Sequence, residues 1–211
     1  MIHELRTYTL RPGSVPTVIE NSGAVARRIR ANDYGKLEGY WSTEIGALNQ
    51  VVHLWSYDDL NERQRLRKAL GENPEWVNEY LPLILPHLLK QEIRLLQPLR
   101  PLGGVSTTGN IYEYRNYRCR VGTVKAWSEK FIKALPAREK YSPNLGTWVT
   151  EAGQPNEVSH LWVYPDLNAR AQARADAAKD PQWQAFLGDG PSMLEQMQST
   201  VMLPAPFSPL Q

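Results

Sequence analysis

Residues 49–65 read NQVVHLWSYDDLNERQR and residues 156–172 read NEVSHLWVYPDLNARAQ, so this chain writes one passage twice. A shift of 109 positions lays Ile2, Glu4, Arg6 and Tyr8 on Ile111, Glu113, Arg115 and Tyr117, and carries Arg11, Gly13, Val15 and Glu20 onto Arg120, Gly122, Val124 and Glu129. After a net two-residue deletion the shift becomes 107, and 15 of the 25 positions from 39 to 63 are then identical to their partners. Pro74-Glu-Trp76 meets Pro181-Gln-Trp183 in the same frame. Internal repetition of this length constrains the fold more than any other feature, because the two copies must adopt one architecture.

The copies are separated by Pro98-Leu-Arg-Pro101-Leu-Gly103-Gly104, which continues through small polar residues to Gly109 and has the composition of a linker. The sequence therefore predicts a first module over 1–98, a linker over 99–109 and a second module over 110–207, the last ending in a Pro-rich tail.

Within a copy the apolar period alternates between two and 3.6. Residues 2–10 read as a strand. Arg11-Pro-Gly13 is a turn, and Ser14 is placed to cap a helix that closes at Gly35. Residues 39–44 and 49–57 read as two strands of a hairpin. Asp58-Asp59 opens a second helix ending near Gly71, Asn73-Pro74 opens a third, and residues 88–97 form the last strand. The order βαββααβ is the ferredoxin-like arrangement, a four-stranded antiparallel sheet with helices on one face. A sheet so covered needs a partner for its other face, which a second copy supplies. The expected class is α+β, with two tandem ferredoxin-like modules pairing as a dimeric α/β-barrel-type pseudo-twofold barrel around a lumen.

Strand alternation places Val51, His53, Trp55 and Tyr57 on one face of their strand, and Val52, Leu54 and Ser56 on the other. We assign the polar, aromatic face to the lumen and the Leu face to the helices. The same reasoning sends Glu4, Arg6 and Tyr8 inward. Copy two repeats the set as Glu113, Arg115, Tyr117, His160, Trp162 and Tyr164. A histidine near neutrality can exchange a proton, an arginine can hold a carboxylate or a forming enolate, and Trp and Tyr offer stacking surface. His53 and His160 are thus the candidate acid–base residues, and the Glu, Arg, Tyr and Trp positions the candidate ligand contacts. A structural alternative stands beside this: Glu4 and Arg6 pair as a buried ion pair that fixes register, and the histidines bond to the backbone. Trp76 and Trp183 read as core anchors, and Glu62 to Lys68 as a solvated helix face.

Charge and motifs narrow the classes. With 24 basic against 22 acidic side chains, the net charge of +2 provides no strong field for nucleic acid or an anionic membrane. No apolar run approaches a membrane span, and the amino terminus carries no targeting pattern. A lone Cys119 suits a reducing compartment, so a cytoplasmic protein is expected. Phosphate-loop, dinucleotide, zinc-protease, nucleophile-elbow and C-x-x-C motifs are all absent. No metal site and no cofactor are expected, and the expected partner is a small organic ligand, with self-association left open.

The pieces IHELRTYTLRPG, LEGYWSTEIGALNQVVHLWSYDDLNER and ENPEW resemble the NIPSNAP family in its bacterial form, and the second copy follows the same pattern. E-x-R-x-Y, G-x-W, N-x-V-x-H-L-W-x-Y and Pro-x-Trp occur in order in both copies. The resemblance implies the dimeric α/β-barrel superfamily and two related modules. It implies no single activity, since that superfamily includes cofactor-independent monooxygenases, isomerases and cyclases. The expected function is therefore that of a small-ligand-binding or interaction protein. The alternative is a cofactor-independent enzyme acting on a small aromatic or acyl compound, with His53 or His160 as acid–base residue.

Overall fold

The computed structural model describes residues 1–105 and 107–211; Ser106, within the expected linker, lies outside the described residues. The first copy forms β1 (Ile2–Leu10), α1 (residues 15–30), β2 (Lys36–Ile45), β3 (Gln50–Tyr57), α2 (Leu60–Glu72), α3 (residues 76–87) and β4 (Leu88–Pro98). The second forms β5 (Ile111–Cys119), α4 (Val124–Glu139), β6 (Asn144–Ala152), β7 (Glu157–Tyr164), α5 (Leu167–Ala177), α6 (Pro181–Asp189) and β8 (Leu194–Pro204). The βαββααβ order holds in both.

In the first module β1 pairs antiparallel with both β3 and β4, and β3 pairs with β2, giving the order β4-β1-β3-β2. In the second the order is β8-β5-β7-β6. These are ferredoxin-like sheets, and the fold class is that of the dimeric α/β-barrel proteins. One compact unit gathers residues 1–96 with 203–211, and the other holds residues 97–202. The final residues of the chain are therefore part of the first unit. There Ala205 N–H donates to the Tyr40 carbonyl at 2.9 Å, and Tyr40 N–H donates to Ser208 Oγ at 3.0 Å.

Local chemistry sets the element boundaries. Asp59 Oδ1 accepts from Glu62 N–H and Asp166 Oδ1 from Ala169 N–H, each capping the helix that follows. Asn73 Oδ1 accepts from the N–H groups of Glu75 and Trp76, and Asp180 does the same for Gln182 and Trp183. Ser14 departs from expectation: its carbonyl begins α1, but its hydroxyl bonds His87 Nδ1 at 2.9 Å rather than the helix. The hairpin between β2 and β3 turns through Gly46 and Asn49 at positive φ, and its counterpart does so through Gly153 and Asn156.

The two copies differ in helix winding. α1 contains a π turn over Ser22–Ala26, and α3 opens with another over Trp76–Tyr80; α4 and α6 are regular. A π turn carries one residue more than the α turn it replaces. The count appears in the alignment: Tyr8 and Tyr117 are 109 apart, Arg30 and Arg138 are 108, His53 and His160 are 107, and Leu88 and Leu194 are 106. The first and last of these steps fall at the two π turns.

The expected assignment of sheet faces is reversed. Val51, Trp55 and Tyr57 pack with Val18 and Ala26 of α1 and with Tyr80 and Ile84 of α3, so the His-Trp-Tyr face looks toward the module's own helices. Val52, Leu54, Leu5 and Trp41 are buried on the opposite face. Sending the polar face to the lumen presupposes that helices cover apolar side chains alone. The helices here leave space over the middle of the sheet, and the polar side chains occupy its walls.

Candidate functional site

Each module encloses a cavity between its sheet and its helices. That of the first module measures about 300 Å³ and takes its walls from Arg6 and Tyr8 of β1, Tyr40 of β2, His53 and Trp55 of β3, Ser22 and Arg30 of α1, Arg67 of α2, and Trp76 and Tyr80 of α3. Phe207, from the end of the chain, completes it and lies against Tyr40 with ring centroids 4.9 Å apart. The second module's cavity measures about 200 Å³ and includes Arg115, Tyr117, His160, Trp162, Arg138, Arg174 and Trp183. His53 and His160 therefore line two separate cavities, one in each module, in place of the single shared space expected.

The register of β1 on β3 explains how the polar set assembles. Glu4 stands opposite Trp55, Arg6 opposite His53 and Tyr8 opposite Val51, so one face carries them together. Glu4 is fully buried and accepts from Arg6 Nη1 at 2.9 Å and from Arg63 of α2. Burial alone would raise its pKa, but Arg6 and then Arg63 hold the carboxyl below its ordinary range. Arg6 Nε also donates to Tyr8 Oη at 2.7 Å. Glu113, Arg115 and Tyr117 repeat these bonds, and Glu113 further accepts from Arg170 and Ser199; Arg170, then Arg115 and Ser199, carry its pKa down to about 2 against the effect of burial. The pairing alternative for Glu4 and Arg6 is thus realised in both copies.

The histidines sit in a defined state. Trp55 Nε1 donates to His53 Nδ1 at 2.6 Å, and Trp162 Nε1 donates to His160 Nδ1 at 2.5 Å. An indole N–H can only donate, so Nδ1 accepts and the imidazole proton resides on Nε2. Burial, then the nearby arginines, hold both histidines well below the ordinary pKa, which keeps the rings neutral. His53 stacks on Tyr40 at 5.1 Å and meets the edge of Tyr8 at 4.8 Å. His160 packs on Phe131 at 4.8 Å, and its buried Nε2 has no acceptor among the described residues.

Sequence reasoning missed several wall residues. Arg30 lies over the Trp55 ring at 3.2 Å, donates to the Tyr34 carbonyl at 2.6 Å and to Tyr57 Oη at 3.0 Å, and is brought down to a pKa of about 10 by burial. Arg138 repeats this over Trp162, bonding Tyr164 Oη. The stretch Glu62 to Lys68 is not wholly a solvated face: Arg63 reaches buried Glu4, and Arg67 lines the cavity. The signal lay in the repeat, because Arg63 and Arg67 return four apart as Arg170 and Arg174, the spacing of one helix face. Trp76 and Trp183 form cavity wall rather than closed core, with Trp76 tilted on Tyr80 at 4.4 Å.

The first cavity also holds a hydroxyl chain that the second lacks. Ser22 Oγ bonds Tyr40 Oη at 3.2 Å and Tyr80 Oη at 2.9 Å. The aligned positions are Phe131, Thr147 and Leu187. Burial raises Tyr40 well above the ordinary phenol range and Tyr80 to about 12, so both remain protonated. Cys119 is buried, with its thiol pushed up to about 11, and is unsuited to act as a nucleophile. Among the described residues no group of three or more His, Cys, Asp or Glu side chains is placed to hold a metal.

These features define an α+β protein of two ferredoxin-like modules, each enclosing an aromatic cavity walled by arginine and one neutral histidine. The chain belongs to the NIPSNAP family, whose model matches residues 3–101 and 112–209. It is 33% identical to protein NipSnap homolog 3B of Mus musculus over 99% of its own length and 85% of that protein's, and 32% identical to NipSnap homolog 3A of Homo sapiens over 100% and 86%. Among solved structures, a protein of Lactobacillus acidophilus described as a candidate monooxygenase shares the fold, with a TM-score of 0.69 over 96% of this chain and 92% of that one at 11% identity. No helix among the described residues is long and apolar enough to cross a membrane.

Proposed function

We propose that this NIPSNAP protein binds a small organic molecule in the cavity of its first module and does not turn it over. The observation that carries this is the state of His53. Its Nδ1 lone pair is occupied by the Trp55 indole and its Nε2 carries the proton, so the ring offers a donor to the cavity and no free lone pair. A general base needs that lone pair, whereas a receptor for a carbonyl or other acceptor needs the N–H. The hydroxyl chain through Ser22 and the aromatic surfaces of Tyr40 and Trp76 supply the remaining parts of a binding site. The monooxygenase description attached to the Lactobacillus acidophilus protein bears on that protein, and a likeness at 11% identity supports a shared fold alone. Cytoplasmic residence is part of the same proposal, supported by a single, buried cysteine.

The test is isolation of the native protein from its own host, followed by denaturing extraction and mass spectrometry beside a Tyr40→Phe, His53→Asn double variant. A stoichiometric small molecule released unchanged from the native protein and missing from the variant is the expected result. A released molecule that the purified protein converts, with loss of conversion in His53→Asn, would establish the acid–base enzyme instead.

A further inference from the structure

We infer that the ligand of the first cavity is an anion, with Arg67 as its receptor; this rests on the binding reading above and specifies its chemistry. Arg6, Arg27, Arg30 and Arg67 all line the cavity, and among the described residues no Asp or Glu does. Three of these four are engaged by the protein. Arg6 bonds Glu4 and Tyr8, Arg27 bonds the Ala31 carbonyl, and Arg30 bonds the Tyr34 carbonyl and Tyr57 while lying on Trp55. Arg67 makes no hydrogen bond or ion pair among the described residues.

Comparison with the second module shows that this is not a general property of the position. Arg174, the counterpart of Arg67, lies 4.0 Å from Glu113, which also holds Arg115 and Arg170. Glu4 bonds Arg6 and Arg63, the counterparts of Arg115 and Arg170, while Arg67 acts on it from a distance without an ion-pair contact. The first cavity thus keeps a cation whose equivalent in the second is partly neutralised.

Arg67 is a half-buried cation on the cavity wall with no carboxylate in contact, and an anion entering the cavity would meet it with charge-assisted hydrogen bonds. The Nε2–H of His53 is a second donor on the same wall, and Tyr40, stacked on His53, gives a flat face for the ligand's body. The chemical class is therefore a small carboxylate or comparable oxyanion on an aromatic or compact apolar body. At about 300 Å³ the space suits a molecule of metabolite size.

Isothermal titration of the full chain with 2-naphthoate and with its neutral isostere 2-naphthamide tests this, using wild type, Arg67→Gln and Arg67→Lys. Wild type should bind the carboxylate at least about tenfold more tightly than the amide. Arg67→Gln should lose about ten- to a hundredfold in carboxylate affinity with the amide unchanged, and Arg67→Lys should recover part of the loss. The ligand-free Arg67→Gln protein should melt close to the wild-type temperature, since the lost attraction to Glu4 is offset by relief of the repulsion from Arg30. Equal affinity for carboxylate and amide would overturn the anion inference and leave the binding reading standing. Failure of both probes to bind would count against both readings, and a sharp fall in melting temperature for Arg67→Gln would show Arg67 to be a structural residue instead.

Discussion

Gly39 shows how much a single residue determines here. A Cβ built at this position would lie 2.0 Å from the indole of Trp41, and one at Gly146 would lie 2.2 Å from Trp148. The G-x-W pattern is thus a packing statement: the Trp two residues on folds flat over the glycine, on the sheet face opposite His53. Gly39→Ala is expected to displace a fully buried indole and lower stability by about 3 kcal/mol, at the upper range for overpacking, measurable by urea unfolding. A change under about 0.5 kcal/mol would show that the ring can move aside. The motif itself was legible, because it occurs twice. Its reason was not, because a flat approach of ring to backbone depends on side-chain rotamers that spacing does not specify. The same holds for His53: its inclusion with Trp55 and Tyr57 on one face followed from alternation, but its tautomer followed from one hydrogen bond of 2.6 Å.

At the scale of elements, the Asp and Asn caps were readable, while the Ser14 cap and the helix windings were not. Asn73 and Asp180 each precede Pro and accept N–H groups of the next turn, as the N-cap-then-Pro pattern in the sequence indicates. Asn73 Nδ2 also donates to Tyr34 Oη at 3.0 Å, linking the start of α3 to the turn after α1. Asn73→Ala should therefore cost about 1–2 kcal/mol in chemical denaturation, the larger end reflecting the lost tie to Tyr34. An unchanged midpoint would mean that water caps the helix equally well. The π turns of α1 and α3 left a trace in the alignment as single-residue steps in offset, but a step does not say whether the extra residue enters a loop or a helix. Helix winding settled it, because the inserted residue carries Ser22 and Tyr80 to the cavity wall, where they bond each other.

Over the whole molecule, the buried titratable groups set a common pH response. Burial holds His3, His53 and His160 below their unfolded value of 6.5. Below pH 6.5 the unfolded chain takes up protons that the folded one does not, so stability rises with pH in this range and is lost as the pH falls. Each such histidine contributes a slope of up to about 1.4 kcal/mol per pH unit once its unfolded form is protonated. Glu4 and Glu113, whose folded pKa values are depressed, act in the same direction below about pH 4.5. The urea midpoint should be steady between about pH 7 and 8, fall steeply from pH 6.5 toward 5, and fall again above about pH 9, where the unfolded chain releases the Cys119 and tyrosine protons that burial retains. A flat profile across the acid interval would mean that the histidines protonate in the folded protein.

The sequence by itself determined the duplication, the βαββααβ order in each copy, the Asp and Asn caps, the family resemblance and the set of Glu, Arg, Tyr, His and Trp residues that share a sheet face. All of these follow from local periodicity and from repetition, which a single chain displays directly. The tertiary structure decided which way that face looks, which arginines are spent on Glu4 and which is left, and that the last residues of the chain close the first cavity through Phe207. These depend on contacts between residues far apart in sequence. Alternation says which side chains lie together on a strand; only the packing of helices against the sheet says what they face.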